Sequence, residues 1–178
     1  MPTSDSEAVP GLRTLPGDEV RQVMWRYADR FDLQMLVQSA RDVARGPVAR
    51  LVADGGRNQH EWTERKAELL RAFDAAGLTA AFIEPEYGGF VAGPKNLALS
   101  LVAFELAWVD AGAATCTLAG NLALSPIHER GTPQQQAEYM ARAVPPADPQ
   151  GRPARGAFCL TEPLPFVGVD TGVLSGRA

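Results

Sequence analysis

Apolar residues recur at steps of three and four along most of this sequence, and no other feature constrains the fold as strongly. Side chains at these steps share one face of a helix. The first such run begins near Asp18, and its apolar members are Val20, Val23, Met24, Tyr27 and Phe31. We therefore expect an amphipathic helix there, after a polar arm at residues 1–17 that prolines interrupt.

Two further helices are predicted before the middle of the chain. One covers residues 33–52 and contains Gly46 and Pro47. Because proline removes a backbone donor and clashes with the preceding turn, we expect a kink or a break at that point. The other covers residues 62–73, and Gly77 is placed to end it in a left-handed cap.

The middle of the chain is more apolar. Residues 78–83 form a short apolar segment, and the proline and glycines in residues 84–90 predict a loop. Residues 95–109 are apolar on more than one face, which is typical of a helix buried inside a bundle, and we expect this helix at the centre of the fold. The apolar run at residues 113–127 is rich in small residues, which fit either close helix contacts or space for a ligand.

The last predicted helix has a clear start signal. Gly131 ends the preceding helix, Thr132 caps the next one, and Pro133 occupies its first turn, where no backbone donor is missed. The helix itself is expected over residues 134–143.

Four prolines and two glycines between residues 144 and 156 cannot continue a helix and mark a boundary. Residues 157–161 are then predicted as a short strand, and residues 173–178 as the start of another. The predicted fold class is mainly α. It comprises an up-and-down helical bundle over residues 18–144, a link over residues 145–156 and the first strands of a small β domain over residues 157–178.

Composition narrows the range of partners. The formal net charge of −4 and a pI near 5.2 argue against a broad surface for nucleic acid or anionic membranes, which needs clustered Lys and Arg. No run reaches the ~18 apolar residues of a membrane span, and residues 1–7 lack the features of a signal peptide, so we expect a cytoplasmic protein with small ligands. Cys116 and Cys159 lie in apolar surroundings and are interpreted as buried thiols.

A set of short motifs occurs in a fixed order along the chain. The set comprises Gly77-Leu78, Pro85-Glu86-Tyr87-Gly88-Gly89, Glu105-Leu106-Ala107, Ser125-Pro126-Ile127, Gly131-Thr132 with Gln135, Gln136 and Tyr139, Thr161-Glu162-Pro163 and Gly168-Val169-Asp170. In this order the motifs resemble the acyl-CoA dehydrogenase family, in which a helical N-terminal domain leads into a small β domain. The resemblance implies FAD-dependent α,β-dehydrogenation of an acyl-CoA thioester by a homo-oligomer.

The resemblance also implies a cofactor site. In the family the strand that ends in Thr-Glu-Pro lies along the flavin, so Phe158, Leu160 and Thr161 are the implied FAD-binding residues. An extended backbone offers fixed donors to the flavin ring, which stabilise negative charge as the flavin is reduced. The alternative is a buried strand that Thr161 ends at a turn. Residues 164–170 depart from the family's short Gly-x-Gly-Ser-Asp turn, because they are two residues longer and Val169 stands where the serine would fall.

The resemblance places Leu118, Ala119 and Leu122 beside the fatty-acyl end of the substrate, with ordinary core packing as the alternative. The family's catalytic glutamate lies in a C-terminal helical domain that this sequence does not reach. We therefore expect the chain alone to be inactive, without a catalytic base and with weak or absent FAD binding. A non-catalytic helical interaction module derived from the family is the competing prediction. The longer loop after Pro163 favours this module, whereas the intact order of the motifs favours the enzyme.

Three other polar residues are assigned less specific roles. Glu105 stands in an apolar helix, where an ionised carboxylate needs a partner, and we interpret it as a residue of the helix surface or a cap. His60 lies in a polar loop and His128 at a helix end. Because neither histidine has metal-ligand spacing to a cysteine, no metal site is predicted.

Overall fold

A computed structural model describes Tyr27 and residues 29–56, 60–148 and 151–160. Its helices are α1 (Phe31–Val43), α2 (Ala49–Ala53), α3 (Glu64–Ala75), α4 (Lys95–Ala107), α5 (Ala111–Leu118), α6 (Gly120–Arg130) and α7 (Pro133–Ala143). Short 3-10 turns lie at Ala80–Phe82 and Pro85–Tyr87. The predicted mainly α class is therefore confirmed, whereas nearly all of the helix predicted from Asp18 lies outside the described residues.

The helix predicted over residues 33–52 consists of α1 and α2, which a π-helical turn at Ala44–Val48 joins. Pro47 lies inside this turn, and the backbone angles of Val43 and Ala49 on either side are helical. A π turn spans one residue more than an α turn and accommodates an irregular ladder of hydrogen bonds. The irregularity expected at Pro47 is thus a widened turn and not a break.

The main core lies between α1, α3 and α4. Its most enclosed members include Leu33, Leu36, Phe73, Val102 and Leu106, each of which is at most 1% exposed. Burial of one such side chain contributes roughly 1.5–3 kcal/mol, so this cluster is a main source of the stability of the bundle. Among the described residues, no helix is both long enough and apolar enough to cross a membrane.

Helix α4 packs against α1 and α5, as expected of a central helix, but it is not enclosed on all sides. Its buried face includes Ala98, Val102 and Leu106, whereas Phe104 and Trp108 are 52% and 57% exposed. The expectation of a helix buried on more than one face is therefore wrong for this part of α4. Apolar residues show which faces of a helix can be buried, but the number of covered faces depends on its neighbours.

A buried group of charges joins α1 to α4. The carboxylate of Glu105 accepts hydrogen bonds from Nε and Nη2 of Arg41, each over 3.1 Å, and Nη1 of Arg45 lies 3.3 Å from the same carboxylate. The side chains of Arg41 and Glu105 are only 5% and 4% exposed. The interpretation of Glu105 as a surface or capping residue is therefore wrong, and its carboxylate is an internal partner of two arginines.

Replacement of Glu105 should strongly destabilise the bundle. Glu105→Gln leaves the Arg41 guanidinium buried without its counter-charge, and removal of one partner from a buried ion pair costs about 3–5 kcal/mol. We expect a loss near the lower end of this range, because glutamine retains one acceptor. Urea unfolding followed by circular dichroism would measure it. Glu138→Gln is the matched control, since Glu138 pairs with Arg142 on the exposed surface of α7 and such pairs contribute little. Equal midpoints for the two variants would contradict the prediction.

The predicted start of α7 is confirmed in detail. Thr132 Oγ1 accepts from the backbone N–H of Gln135 over 3.2 Å, and the side-chain oxygen of Gln135 accepts from the N–H of Thr132 over 2.9 Å. Pro133 occupies the first turn. Gly77 follows α3 with a φ of 75°, which confirms the left-handed position predicted there.

Thr132→Ala should lower the free energy of unfolding by about 1 kcal/mol, because the backbone N–H of Gln135 loses its acceptor, Thr132 Oγ1. Thr115→Ala is a suitable comparison. Thr115 is exposed within α5 and its hydroxyl donates to the carbonyl of Ala111, an arrangement that adds little to a helix. Chemical denaturation of the two variants should show a loss for Thr132→Ala alone, and an unchanged midpoint for Thr132→Ala would contradict the role of the cap.

Candidate functional site

The segment that leads to the predicted FAD residues lies against one end of the bundle. The backbone N–H of Ala154 donates to the carbonyl of Arg142, at the end of α7, over 2.8 Å. Gly156 passes α6 at Ala123, and Arg155 contacts Asp74 in the last turn of α3. We call these contacts the anchor, defined as residues 154–156 with Asp74, Thr79, Ala123 and Arg142. Three helices therefore hold three consecutive residues.

The charged part of the anchor is centred on Asp74. Nη2 of Arg155 lies 2.8 Å and 2.7 Å from the two carboxylate oxygens of Asp74, and Thr79 Oγ1 donates to one of them over 2.5 Å. The Asp74 side chain is 16% exposed and that of Arg155 is 37% exposed. Charge-assisted hydrogen bonds of this kind are roughly twice as strong as neutral ones.

Gly156 allows the segment to approach α6. A Cβ atom placed on this glycine would lie 2.6 Å from the Cβ of Ala123. Carbon atoms in contact are normally about 3.5–4.0 Å apart, so no side chain fits here unless the backbone moves. The close approach therefore depends on glycine at this position.

The end of α7 that receives Ala154 is itself supported. Met140 and Ala143 form a second core cluster with Ile83, to which Val144 and Ile127 add partly buried contacts. The carbonyl of Ile83 accepts a hydrogen bond from Nζ of Lys95 over 2.6 Å, and Val91 O accepts another over 2.8 Å. Partial burial lowers the pKa of Lys95 from its ordinary value, and the carboxylate of Glu84 opposes this shift.

Two openings border the anchor. A cavity of about 40 Å³ is lined by Thr117, Asn121 and Leu124 on α5 and α6 and by Arg155 and Gly156. Ligand pockets usually measure about 300–1,000 Å³, so this cavity is too small for a flavin or an acyl chain. An open cleft of about 850 Å³ lies on the outer side of α3, and its lining includes Trp62, Leu70, Arg71, Asp74, Pro145 and Pro153.

The structure places two of the three predicted FAD residues. Phe158 is 49% exposed and Leu160 is partly buried, while Thr161 lies outside the described residues. Residues 157–160 belong to no helix or strand within the described ranges. The strand predicted over residues 157–161 is therefore not formed at residues 157–160, whereas the FAD contacts stay predictions. The chain that leads to these residues is fixed to the bundle at Arg155, three residues before Phe158.

The three residues predicted to contact the acyl chain lie around the junction of α5 and α6. Leu118 is partly buried and packs against the main core, which agrees with the core alternative for this residue. Ala119 separates the two helices and is exposed, and Leu122 is 60% exposed. Gly120 and Asn121, between these residues, line the small cavity beside Arg155. The structure thus brings the α5–α6 junction close to the segment that leads to the predicted FAD site.

In the part of the chain that the structure describes, the cysteines and histidines do not form a site. Cys116 and Cys159 are exposed, so their interpretation as buried thiols is wrong. For Cys116 the reason is the orientation of α5, which buries Ala113, Ala114 and Thr117. His128 Nε2 lies 3.4 Å from Glu84 in an exposed pair. No group of three His, Cys, Asp or Glu residues within the described ranges is suited to a metal ion.

Sequence reasoning missed the anchor, although one signal for it was present. Asp74 stands in the last turn of α3, where the helix dipole disfavours a negative charge. A residue that conflicts with its local position is expected to have a compensating partner elsewhere. That partner is Arg155, and a separation of 81 residues prevented its identification from spacing.

Comparison with known families identifies the class of the bundle. Residues 31–145 match the family described as acyl-CoA dehydrogenase, N-terminal domain, and the match covers more than half of the chain. The chain therefore belongs to the acyl-CoA dehydrogenase family, as the ordered motifs predicted. No curated protein and no solved structure shows significant similarity to it.

Gly156→Val should detach the anchor segment from α6. The added side chain cannot fit beside Ala123, so residues 154–156 must move away and the N–H of Ala154 loses its bond to Arg142. We expect hydrogen exchange at the Ala154 amide to become about tenfold faster, which corresponds to a local destabilisation of about 1.4 kcal/mol. Gly120→Ala is the control, because a Cβ there would meet no atom within 4 Å. Unchanged exchange in Gly156→Val would show that the close approach to α6 is not maintained in solution.

Proposed function

We propose that this protein is an acyl-CoA dehydrogenase-like flavoprotein that catalyses the FAD-dependent α,β-dehydrogenation of an acyl-CoA thioester. The observation that carries the proposal is the match of residues 31–145 to the N-terminal domain of this family. The anchor supports it, because Arg155 and Asp74 fix the chain immediately before the residues assigned to FAD. The helical domain and the segment assigned to FAD are thus connected by direct contacts.

In this proposal Phe158, Leu160 and Thr161 contact the flavin. These residues fit FAD because a ligand can reach them: Phe158 is half exposed and Leu160 is only partly buried. The described residues of this segment belong to no helix. The backbone of such a segment can donate to ring oxygens, and the hydroxyl of Thr161 adds a further donor at the pyrimidine end. FAD supplies the hydride acceptor for the reaction when it is bound.

The α5–α6 junction is the proposed wall for the acyl chain. Leu122 and Ala119 present exposed apolar surface there, while Leu118 is held by the core. Exposed apolar side chains beside a cofactor segment provide the kind of surface that a fatty-acyl chain covers, because contact removes both from water. The acyl-CoA thioester is therefore the proposed substrate class.

The internal carboxylates of the bundle are already engaged in structural contacts. Glu105 pairs with Arg41 and Arg45, and Asp110 accepts from the N–H of Ala113 over 2.7 Å as the cap of α5. Abstraction of a proton next to the thioester carbonyl requires a carboxylate that can reach the substrate. The family resemblance implies that the base is a glutamate in a C-terminal helical domain of a homo-oligomeric enzyme, and on this ground we expect the 178-residue chain alone to be inactive.

A second candidate function is a non-catalytic interaction module built on the same bundle. Its supporting observation is the pair of exposed aromatic residues at the C-terminal end of α4, Phe104 and the capping residue Trp108, whose ring centres are 6.4 Å apart. Exposed aromatic surface is enriched at protein interfaces. The intact mass of the native gene product discriminates the two functions, since a mass near 19.0 kDa leaves no room for a base-bearing domain and favours the module.

The enzymatic proposal predicts a flavin that acyl-CoA reduces. The native gene product, purified under mild conditions, should show the absorption bands of bound FAD, and these should bleach when saturated acyl-CoA thioesters of increasing chain length are added without oxygen. The 178-residue chain should produce no turnover with the same substrates and an artificial electron acceptor, because the proposal assigns the base to another domain.

Two controls make this test specific. Free fatty acids of equal chain length should leave the flavin oxidised, since they lack the activated α-proton of a thioester. The proposed function would be contradicted if the native gene product bound no FAD after reconstitution. It would also be contradicted if no acyl-CoA reduced the bound FAD. Turnover by the 178-residue chain would contradict the assignment of the base to another domain.

A further inference from the structure

The pair of Asp74 and Arg155 connects the region that matches the family to the chain that follows it. Asp74 belongs to α3, inside the region that matches the family, whereas Arg155 lies beyond its end at residue 145. Both oxygens of Asp74 lie within 2.8 Å of one guanidinium nitrogen of Arg155. The contact therefore fixes the chain that follows the bundle relative to the bundle itself.

The stability of α3 does not account for the charge of Asp74. A carboxylate in the last turn faces the negative end of the helix dipole, which destabilises it. The hydroxyl of Thr79 contacts the same carboxylate, but both groups lie within the bundle and would position nothing outside it. Among the contacts of Asp74 with described residues, the one with Arg155 reaches a distant segment, at a separation of 81 residues.

The position of the anchor limits where the predicted FAD residues can lie. A chain extends by at most about 3.3–3.6 Å per residue, so the Cα of Phe158, three residues later, lies within roughly 11 Å of that of Arg155. The bond from Ala154 to Arg142 and the close approach of Gly156 to Ala123 fix the residues on either side. Three consecutive fixed residues set both the position and the direction of the segment.

We infer that Asp74 is a positioning residue for the cofactor: through Arg155, it holds residues 154–160 in the place from which Phe158 and Leu160 meet the flavin. This inference rests on the proposed function. Asp74 does not contact the flavin in this arrangement. Its effect is preorganisation, because a segment already held in its bound place loses less conformational freedom when the ligand binds.

The test uses Asp74→Asn in the native gene product. Asparagine has nearly the same shape but no charge, so the pair with Arg155 weakens while the packing of α3 is retained. We expect the dissociation constant for FAD, measured by fluorescence titration of the apoprotein, to rise about tenfold. The absorption spectrum of the bound flavin should also shift, because its surroundings become less ordered, and unfolding by urea should remain cooperative.

Two comparisons separate positioning from general stability. Arg155→Gln should weaken FAD binding as much as Asp74→Asn does. The double variant should bind FAD no more weakly than either single variant, because all three break the same pair. Glu64→Gln is the matched control on the same helix, since Glu64 pairs with Arg71 on the exposed face of α3. It should leave both the FAD affinity and the flavin spectrum unchanged.

The possible outcomes are distinguishable. The inference is supported if the wild-type protein binds FAD and the FAD affinity falls in Asp74→Asn and Arg155→Gln without adding in the double variant. The affinity of Glu64→Gln should then equal that of the wild type. Equal FAD affinity in wild type and Asp74→Asn overturns the inference but leaves the proposed function standing. Equal losses in Asp74→Asn and Glu64→Gln also overturn it, because they indicate an effect of stability alone. A wild-type protein that binds no FAD overturns the proposed function and the inference together.

Discussion

The buried contact of Glu105 with Arg41 and Arg45 is the constraint on which the arrangement of the bundle depends. It joins α4 to α1 and to the π turn that continues α1, and both members of its central pair are almost completely enclosed. Buried charges tolerate few alternative arrangements, because any shift that separates them leaves a charge without a partner in a medium that solvates it poorly. The apolar core around Val102 and Leu106 supplies the stability, and the charges define the relative position of the two helices.

A second set of contacts holds the chain that follows the bundle. The C-terminal ends of α3 and α7 and the side of α6 meet at one end of the bundle and receive residues 154–156 through a salt bridge, a backbone hydrogen bond and a close approach of glycine. The three contacts involve consecutive residues, so loss of one weakens the hold on its neighbours. The segment assigned to FAD therefore begins from a fixed point on the bundle and not from a free linker.

Prediction from the sequence was most successful where local chemistry is sufficient. The start of α7 was predicted from Gly131, Thr132 and Pro133, because capping groups act on backbone groups within the same turn. The roles of Glu105 and Cys116 were predicted wrongly, because burial depends on which helices pack together. The anchor was not predicted at all, since Asp74 and Arg155 become neighbours only after the chain folds.

By itself, the sequence determined most of the described helices, their order and the membership of the acyl-CoA dehydrogenase family. Each of these depends on periodicity, turn chemistry or ordered motifs, which are properties of neighbouring residues. Only the tertiary structure decided the partner of Glu105, the exposure of Phe104 and Trp108 at the C-terminal end of α4, and the attachment of residues 154–156 to three helices. These features depend on distances between residues far apart in the chain, and packing of the whole bundle sets such distances.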